Sequence, residues 1–276
     1  MRETAGVRTG RPTRDREVTM KKLLATAIAL GLGIALALPA AAQDKIRIGT
    51  EAAYKPFAWV LPSGELTGFD IDITKAMCTA MGAECEIINQ SFDGLIPALK
   101  AKKIDAIIAS MTITDDRLKA IDFAGPYYTV PAMFIAPKDA GVEISEAGLD
   151  GKYVGVQRGS TMANYIKKVF PRASIQLYDT SDAANLDLAS GRVDVVFADS
   201  AVLNEFLQTP DGANFAMVGE PVEDPEILGT GAGIGVRQGD DALKQKFDEA
   251  LKAIIASGEY KTINDKYVPV SILPPQ

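Results

Sequence analysis

Apolar residues recur along this chain in two alternating rhythms, one of strands and one of helices. In the first half, 46–49 begins as a strand and gives way to a loop, 50–57, that contains Pro56. Pro62-Ser63-Gly64-Glu65 reads as a turn. Ile73, Met77 and Cys78 then fall on one face of a helix predicted over 69–81. A short strand follows over 85–88, and a helix over 91–103 whose start Ser91 or Asp93 would cap. A buried strand over 104–109 leads into a polar loop. The second half repeats the scheme. Strands are predicted over 152–156, 176–178 and 193–198, and helices from Gly159-Ser160-Thr161 to Phe170, over 181–190 and over 201–208. One more strand over 234–236 precedes an amphipathic helix over 241–257, with Leu243, Phe247, Leu251 and Ile254 at core spacing. A last short helix spans 260–268. The order β-α-β-α-β in each block predicts two α/β domains with parallel sheets. The blocks meet in an extended stretch over 127–137, and the glycine-alternating run 229–235 leads out of the second block. Two crossings between lobes would make a hinge.

The beginning of the chain departs from this pattern. Residues 2–17 are Arg-rich; Met20-Lys21-Lys22 then precedes an apolar run over 23–38 that ends in Pro39-Ala40-Ala41-Ala42. A basic start, an apolar middle and a small-residue end predict a secretory signal peptide over 1–42, with Met20 as an alternative start. The rival reading, a membrane anchor, calls for roughly 20 apolar residues, more than this run provides. Cleavage after Ala42 would release the chain into a periplasm, and no Cys stands at the cleavage position to carry a lipid.

Composition narrows the chemistry. The 276 residues carry a formal net charge of −7, which argues against a nucleic-acid partner, since a phosphate binder needs a positive surface. There is no His, so His-dependent triads and His-ligated metals are excluded. The run 229–235 lacks the Lys-Ser or Lys-Thr of a phosphate loop. No cofactor and no metal are expected. Carboxylate or Lys chemistry stays open. Cys78 and Cys85 suit a disulfide in an exported protein; a metal site is the alternative and would need further ligands.

Open α/β sheets bind ligands beyond the carboxyl ends of their strands. The residues there are Glu51 and Tyr54, then Ser110, Thr112 and Arg117, then Gly159, Ser160 and Thr161, and finally Asp199; Phe92 opens a helix after an apolar strand. Together they offer a cation, two carboxylates, hydroxyls and aromatic rings, a set that fits a zwitterion with an additional positive charge. Each has a plainer alternative: Arg117 as a surface loop residue, Asp199 as a helix N-cap, Glu51 as a solvated loop carboxylate, Tyr54 and Phe92 as core aromatics.

With Gly68-Phe69-Asp70-Ile71-Asp72-Ile73, Ser91-Phe92-Asp93-Gly94-Leu95-Ile96-Pro97-Ala98-Leu99 and Lys103-Ile104-Asp105-Ala106-Ile107-Ile108 the chain resembles the periplasmic polar amino acid-binding proteins of ABC importers, most of all the lysine/arginine/ornithine- and histidine-binding group of solute-binding protein family 3. Asp122-Phe123-Ala124-Gly125-Pro126-Tyr127-Tyr128, Gly151-Lys152-Tyr153-Val154-Gly155-Val156-Gln157 and Gly191-Arg192-Val193-Asp194 extend the resemblance over nearly the whole chain beyond residue 44. The resemblance implies a type II periplasmic binding protein: two α/β lobes, 43–130 with 229–276 and 131–228, joined by a two-strand hinge that closes on the ligand. It implies a monomeric, non-enzymatic carrier that delivers an amino acid to an inner-membrane ABC permease. A periplasmic cyclohexadienyl dehydratase-like enzyme is the less favoured relative.

By the same resemblance, Arg117 clamps the ligand α-carboxylate, helped by Thr112 and Thr161. Asp199 and Ser110 take the α-ammonium, Tyr54 and Phe92 sandwich the side chain, Glu51 meets its distal cationic group, and Cys78–Cys85 form a disulfide. Three positions depart from the group. Glu51 replaces an Asp, as in opine-binding relatives; Ala109 replaces a Ser; Gln157 replaces a Leu. The ligand set implied is Glu51, Tyr54, Phe92, Ala109, Ser110, Thr112, Arg117, Gln157, Thr161 and Asp199, and the ligand favoured is arginine, with lysine, ornithine, histidine or an opine as alternatives.

Overall fold

The structure, a computed structural model, describes residues 45–274 together with Met1, Arg2 and Gly6. Apart from Met1, Arg2 and Gly6, the segment 1–42 expected to be a signal peptide lies outside the described residues. Among these residues no helix is long and apolar enough to cross a membrane.

The chain opens with β1 (Ile46–Thr50), then three short strands, β2 (Ala53–Tyr54), β3 (Ala58–Val60) and β4 (Leu66–Thr67), which form an antiparallel sheet of their own. Helix α1 (Phe69–Ala80) agrees with its apolar spacing: Phe69, Ile73, Ala76 and Met77 are all buried. Strand β5 (Cys85–Asn89) follows, and Cys78 at the end of α1 is disulfide-bonded to Cys85 at its start. Both thiols are consumed in that bond, so the metal alternative for this pair falls away.

The helix predicted over 91–103 is shorter than its pattern. A 3₁₀ turn (Phe92–Gly94) runs into α2 (Leu95–Lys100), and the chain leaves the helix where Lys102 takes φ 59°. Ser91 stands at the cap position of the turn, but its side chain makes no capping hydrogen bond. Strand β6 (Ala106–Ile107) comes next. The Thr114-Asp115-Asp116-Arg117 segment, read as a loop, contains the one-turn helix α3 (Asp115–Leu118), whose start Thr114 caps by accepting the Arg117 N–H at 3.2 Å. Strand β7 (Asp122–Tyr128) then crosses into β8 (Ala132–Pro137).

The second block comprises β9 (Tyr153–Gln157), α4 (Thr161–Val169), β10 (Ser174–Tyr178), α5 (Ser181–Ala189), β11 (Val195–Asp199), α6 (Ser200–Leu207) and β12 (Phe215–Val222). Strand β12 escaped the sequence pattern because Gly219 and Pro221 interrupt it. It is an edge strand whose register slips between Val218 and Val222, the position where sheets tolerate such residues. The chain then returns through β13 (Ala232–Val236), α7 (Asp241–Ala256) and α8 (Glu259–Tyr267).

Two five-stranded sheets result, in the orders β5-β1-β6-β13-β7 and β10-β9-β11-β8-β12. Both are mixed, not purely parallel as the element order suggests. β1 pairs in parallel with β5 and β6, and β9 with β10 and β11, as βαβ units require. β13 and β8, which enter from the other lobe without a crossover helix, run antiparallel to their neighbours. Each sheet is buried on both faces. Ala106 and Ile108 join the core under α1 and α7, while Ile107 and Ala109 join the one under α2; Phe134 and Ala136 separate likewise from Met133 and Ile135. This double burial holds the strand ends in place, and the residues beyond them meet where the lobes face each other.

Candidate functional site

Between the two sheets lies a cavity of about 330 Å³, part of it open to solvent. All ten residues singled out from the sequence line it: Glu51, Tyr54, Phe92, Ala109, Ser110, Thr112 and Arg117 from the first lobe, Gln157, Thr161 and Asp199 from the second. Ser160 and Met162 join them. Ser160 was visible in the Gly159-Ser160-Thr161 helix start; Met162 carried no signal, since a Met in a first helical turn looks like core.

Strand ends position the polar groups. Asp199 closes β11 and stands at the cap position of α6, yet makes no capping hydrogen bond. Its Oδ2 instead accepts the Tyr54 hydroxyl at 2.9 Å, from the other lobe. The N-cap alternative for Asp199 is thereby set aside. Burial lifts its carboxyl to about 7; the nearby charge of Asp70 adds to the rise, while Tyr54 and Arg117 oppose it.

Arg117 is held by the loop that β6 launches. Its Nη1 donates to the Thr112 carbonyl at 2.8 Å and to Thr112 Oγ1 at 2.9 Å, and Nη2 donates across the cleft to the Gly159 carbonyl at 3.2 Å. The guanidinium carbon lies 5.5 Å from the centre of the Phe92 ring, within cation–π range. Burial lowers its pKa to about 10, so it stays a cation at neutral pH. It is half-buried and anchored, unlike a free surface residue. At Gly159, φ is +75° and an added Cβ would stand 3.1 Å from Asp93 Cβ. Both the backbone conformation and the approach of the lobes suit glycine there.

Glu51 follows β1 and is 5% exposed. Its Oε1 is buried without a hydrogen-bond partner. Burial raises its carboxyl to about 7; hydrogen bonding by the Gln157 side chain opposes the rise and Asp182 adds to it. A buried acceptor with no donor is costly and calls for one. Gln157 is fixed by donating to the Asp179 carbonyl at 3.2 Å. Thr161 begins α4, whose cap is Ser160 Oγ accepting the Ala163 N–H at 3.2 Å; the first amides of such a helix point outward and favour an anion. The cavity therefore offers one anion-binding corner, around Arg117 and the start of α4, and two cation-binding acceptors, Asp199 and Glu51.

Two lobes of mixed sheet, joined by two crossings with the cavity between them, define a type II periplasmic binding protein. The chain matches the profile of the bacterial extracellular solute-binding proteins, family 3, over residues 46–270, and it belongs to that family. It is a periplasmic solute-binding component, a binder and not an enzyme. It is 47% identical over 253 residues to the L-arginine-binding protein of Pseudomonas aeruginosa, covering 90% of this chain and 96% of that one. It resembles the solved structure of a periplasmic binding protein of Salmonella typhimurium described for its high arginine specificity, with TM-score 0.76 and 37% identity over 81% of this chain and 98% of the other. An ancestral arginine-binding protein solved with glutamine bound has the same TM-score, 0.76, and identity, 37%, over 82% of this chain and 98% of that one.

Proposed function

We propose that the chain binds a basic L-α-amino acid, arginine by preference, and delivers it as a monomer to an inner-membrane ABC permease. The observation that carries the reading is the buried, partnerless Oε1 of Glu51 in a cavity that also holds Arg117 and Asp199. Arg117, with the first amides of α4, receives the α-carboxylate. Asp199 and Ser110 receive the α-ammonium. Both backbone charges of the ligand are then matched, and Glu51 is the carboxylate left over to select a cationic side chain. A guanidinium presents five donors in a flat fork and stacks on aromatic rings; an ammonium presents three on a point charge. Phe92, Tyr54 and the Gln157 amide favour the former. The relatives described for arginine support the same choice. The lobes would divide at the two crossings, 43–130 with 229–276 against 131–228, and close on the ligand.

Titration calorimetry of refolded, ligand-free protein against arginine, lysine, ornithine, histidine, glutamine, glutamate and octopine tests this. The expected order has arginine tightest and the neutral and acidic amino acids weakest. A preference for glutamine or glutamate would overturn the basic-ligand reading.

A further inference from the structure

Directly beneath the cavity wall lies a carboxylate outside the set read from the sequence. Asp70, in the first turn of α1, is 1% exposed. Its Oδ2 accepts the Ser110 hydroxyl at 3.0 Å and its Oδ1 accepts the Tyr127 hydroxyl at 2.9 Å. The Tyr127 oxygen in turn accepts the Ser110 N–H at 3.1 Å. The three side chains thus close a ring around Ser110, whose φ of +55° is unusual for a residue other than glycine. None of the ion pairs among the described residues reaches Asp70; hydroxyl and amide donors alone surround it.

Hydrogen-bond accounting gives this ring a direction. An ionised carboxylate only accepts, and a hydroxyl has one proton to give. Burial raises Asp70 to about 6, which leaves it ionised at pH 7.5. Ser110 must then spend its proton on Asp70 and its backbone N–H on Tyr127. What it can show the cavity is acceptor oxygen only. Asp199, the other acceptor in this part of the site, is close enough for Asp70 to raise it.

We infer that Asp70 is a specificity-determining positioning residue: by fixing Ser110 as a pure acceptor, it makes this corner of the cavity select ligands that carry an α-ammonium. It acts through Ser110 and does not itself touch the ligand. The inference rests on the α-amino-acid reading above, and it separates from a purely structural role for Asp70. A residue that only holds α1 and β7 together would, when changed, weaken every ligand alike. A residue that sets hydrogen-bond polarity weakens those that donate at the α position.

The test pairs each amino acid with its analogue lacking the α-amino group, measured by calorimetry at pH 7.5 on wild type and Asp70→Asn. The Asn amide brings donors into the ring and lets Ser110 turn its proton to the cavity. L-Arginine should lose about tenfold or more in affinity, the scale of one charge-assisted hydrogen bond, while 5-guanidinopentanoic acid stays within about threefold. Equal losses for both, or no loss for either, would overturn the inference. Should Asp70→Asn fail to fold, Ser110→Gly suits the positive φ and removes the hydroxyl; it too should narrow the preference for the amino acid over its analogue by about tenfold, with Asp199 keeping the remainder, and wild-type discrimination in that variant would equally overturn the inference. The pairs L-lysine with 6-aminohexanoic acid and L-glutamine with 4-carbamoylbutanoic acid read the same effect. A wild type that prefers glutamine would thus defeat the basic-ligand reading and still test Asp70. A wild type that binds no α-amino acid would defeat both.

Discussion

The Tyr54 hydroxyl, on a two-residue strand of the first lobe, donates a 2.9 Å hydrogen bond to Asp199 Oδ2 at the end of a core strand of the second. With the Arg117 bond to the Gly159 carbonyl, it joins the lobes directly across the cleft. Tyr54→Phe removes one of these two ties and one donor from a buried carboxylate. Amino acid binding should weaken by about 1–3 kcal/mol, the scale of a hydrogen bond to a charged group. Small-angle scattering should show a larger radius for the ligand-free variant than for ligand-free wild type. Wild-type affinity together with an unchanged scattering curve would contradict both expectations.

Arg117→Ala should weaken every α-amino acid, basic or neutral, by about 2–5 kcal/mol, as expected when one partner of a desolvated charge pair is truncated. Arg117→Lys should recover little of this, because an ammonium cannot donate in two parallel prongs while also holding Thr112. Calorimetry on both variants checks the pattern; a loss confined to basic ligands would place the side-chain pocket, not the carboxylate, at Arg117.

Glu51→Gln keeps the shape of the side chain and removes its charge. Arginine should weaken by about 1–3 kcal/mol, while the residual affinity for glutamine changes little. A competition titration of the two ligands on wild type and variant reads this as a change in their ratio. Parallel weakening of both would move Glu51 out of the side-chain pocket.

The buried carboxylates make stability depend on pH in an unusual direction. Burial holds Glu51 and Asp199 at about 7 and Asp70 at about 6, against ordinary values of 4.5, 3.8 and 3.8. The folded protein therefore keeps these protons more tightly than the unfolded chain. Their contribution to stability is full below the ordinary carboxylate range, declines as pH rises through the interval, and is gone above about 7. Asp105, paired with Arg47 and Arg237, is held below its ordinary value, so its stabilising effect is already complete across that window. The melting temperature of ligand-free protein should accordingly fall between pH 5 and pH 8. Saturating arginine favours the ionised carboxylates and should flatten or reverse the trend. Binding near pH 6 should release protons, seen as a dependence of the calorimetric enthalpy on the buffer. A ligand-free melting temperature that climbs steadily across this window would contradict the raised values.

The sequence by itself determined the local elements and the chemical inventory. The spacing of Phe69, Ile73 and Met77, or of Phe247, Leu251 and Ile254, defines a buried helical face whatever covers it, because a helix brings such residues to one side regardless of partner. The absence of His ruled out whole classes of chemistry, and the polar residues after the strand ends identified the crevice. Tertiary structure alone decided what those residues do. Asp199 sits where an N-cap would, and only the arrival of Tyr54, 145 positions away, turns its carboxylate into an acceptor across the cleft. Asp70 looks like any acidic residue in a first helical turn until Tyr127 and Ser110 close over it. The antiparallel pairing of β8 and β13 depends on where the chain crosses between lobes, which periodicity does not record. The reason is common to all three. Periodicity is a local property of the backbone geometry, whereas a buried polar group is defined by its partner, and in this chain topology brings those partners from distant segments.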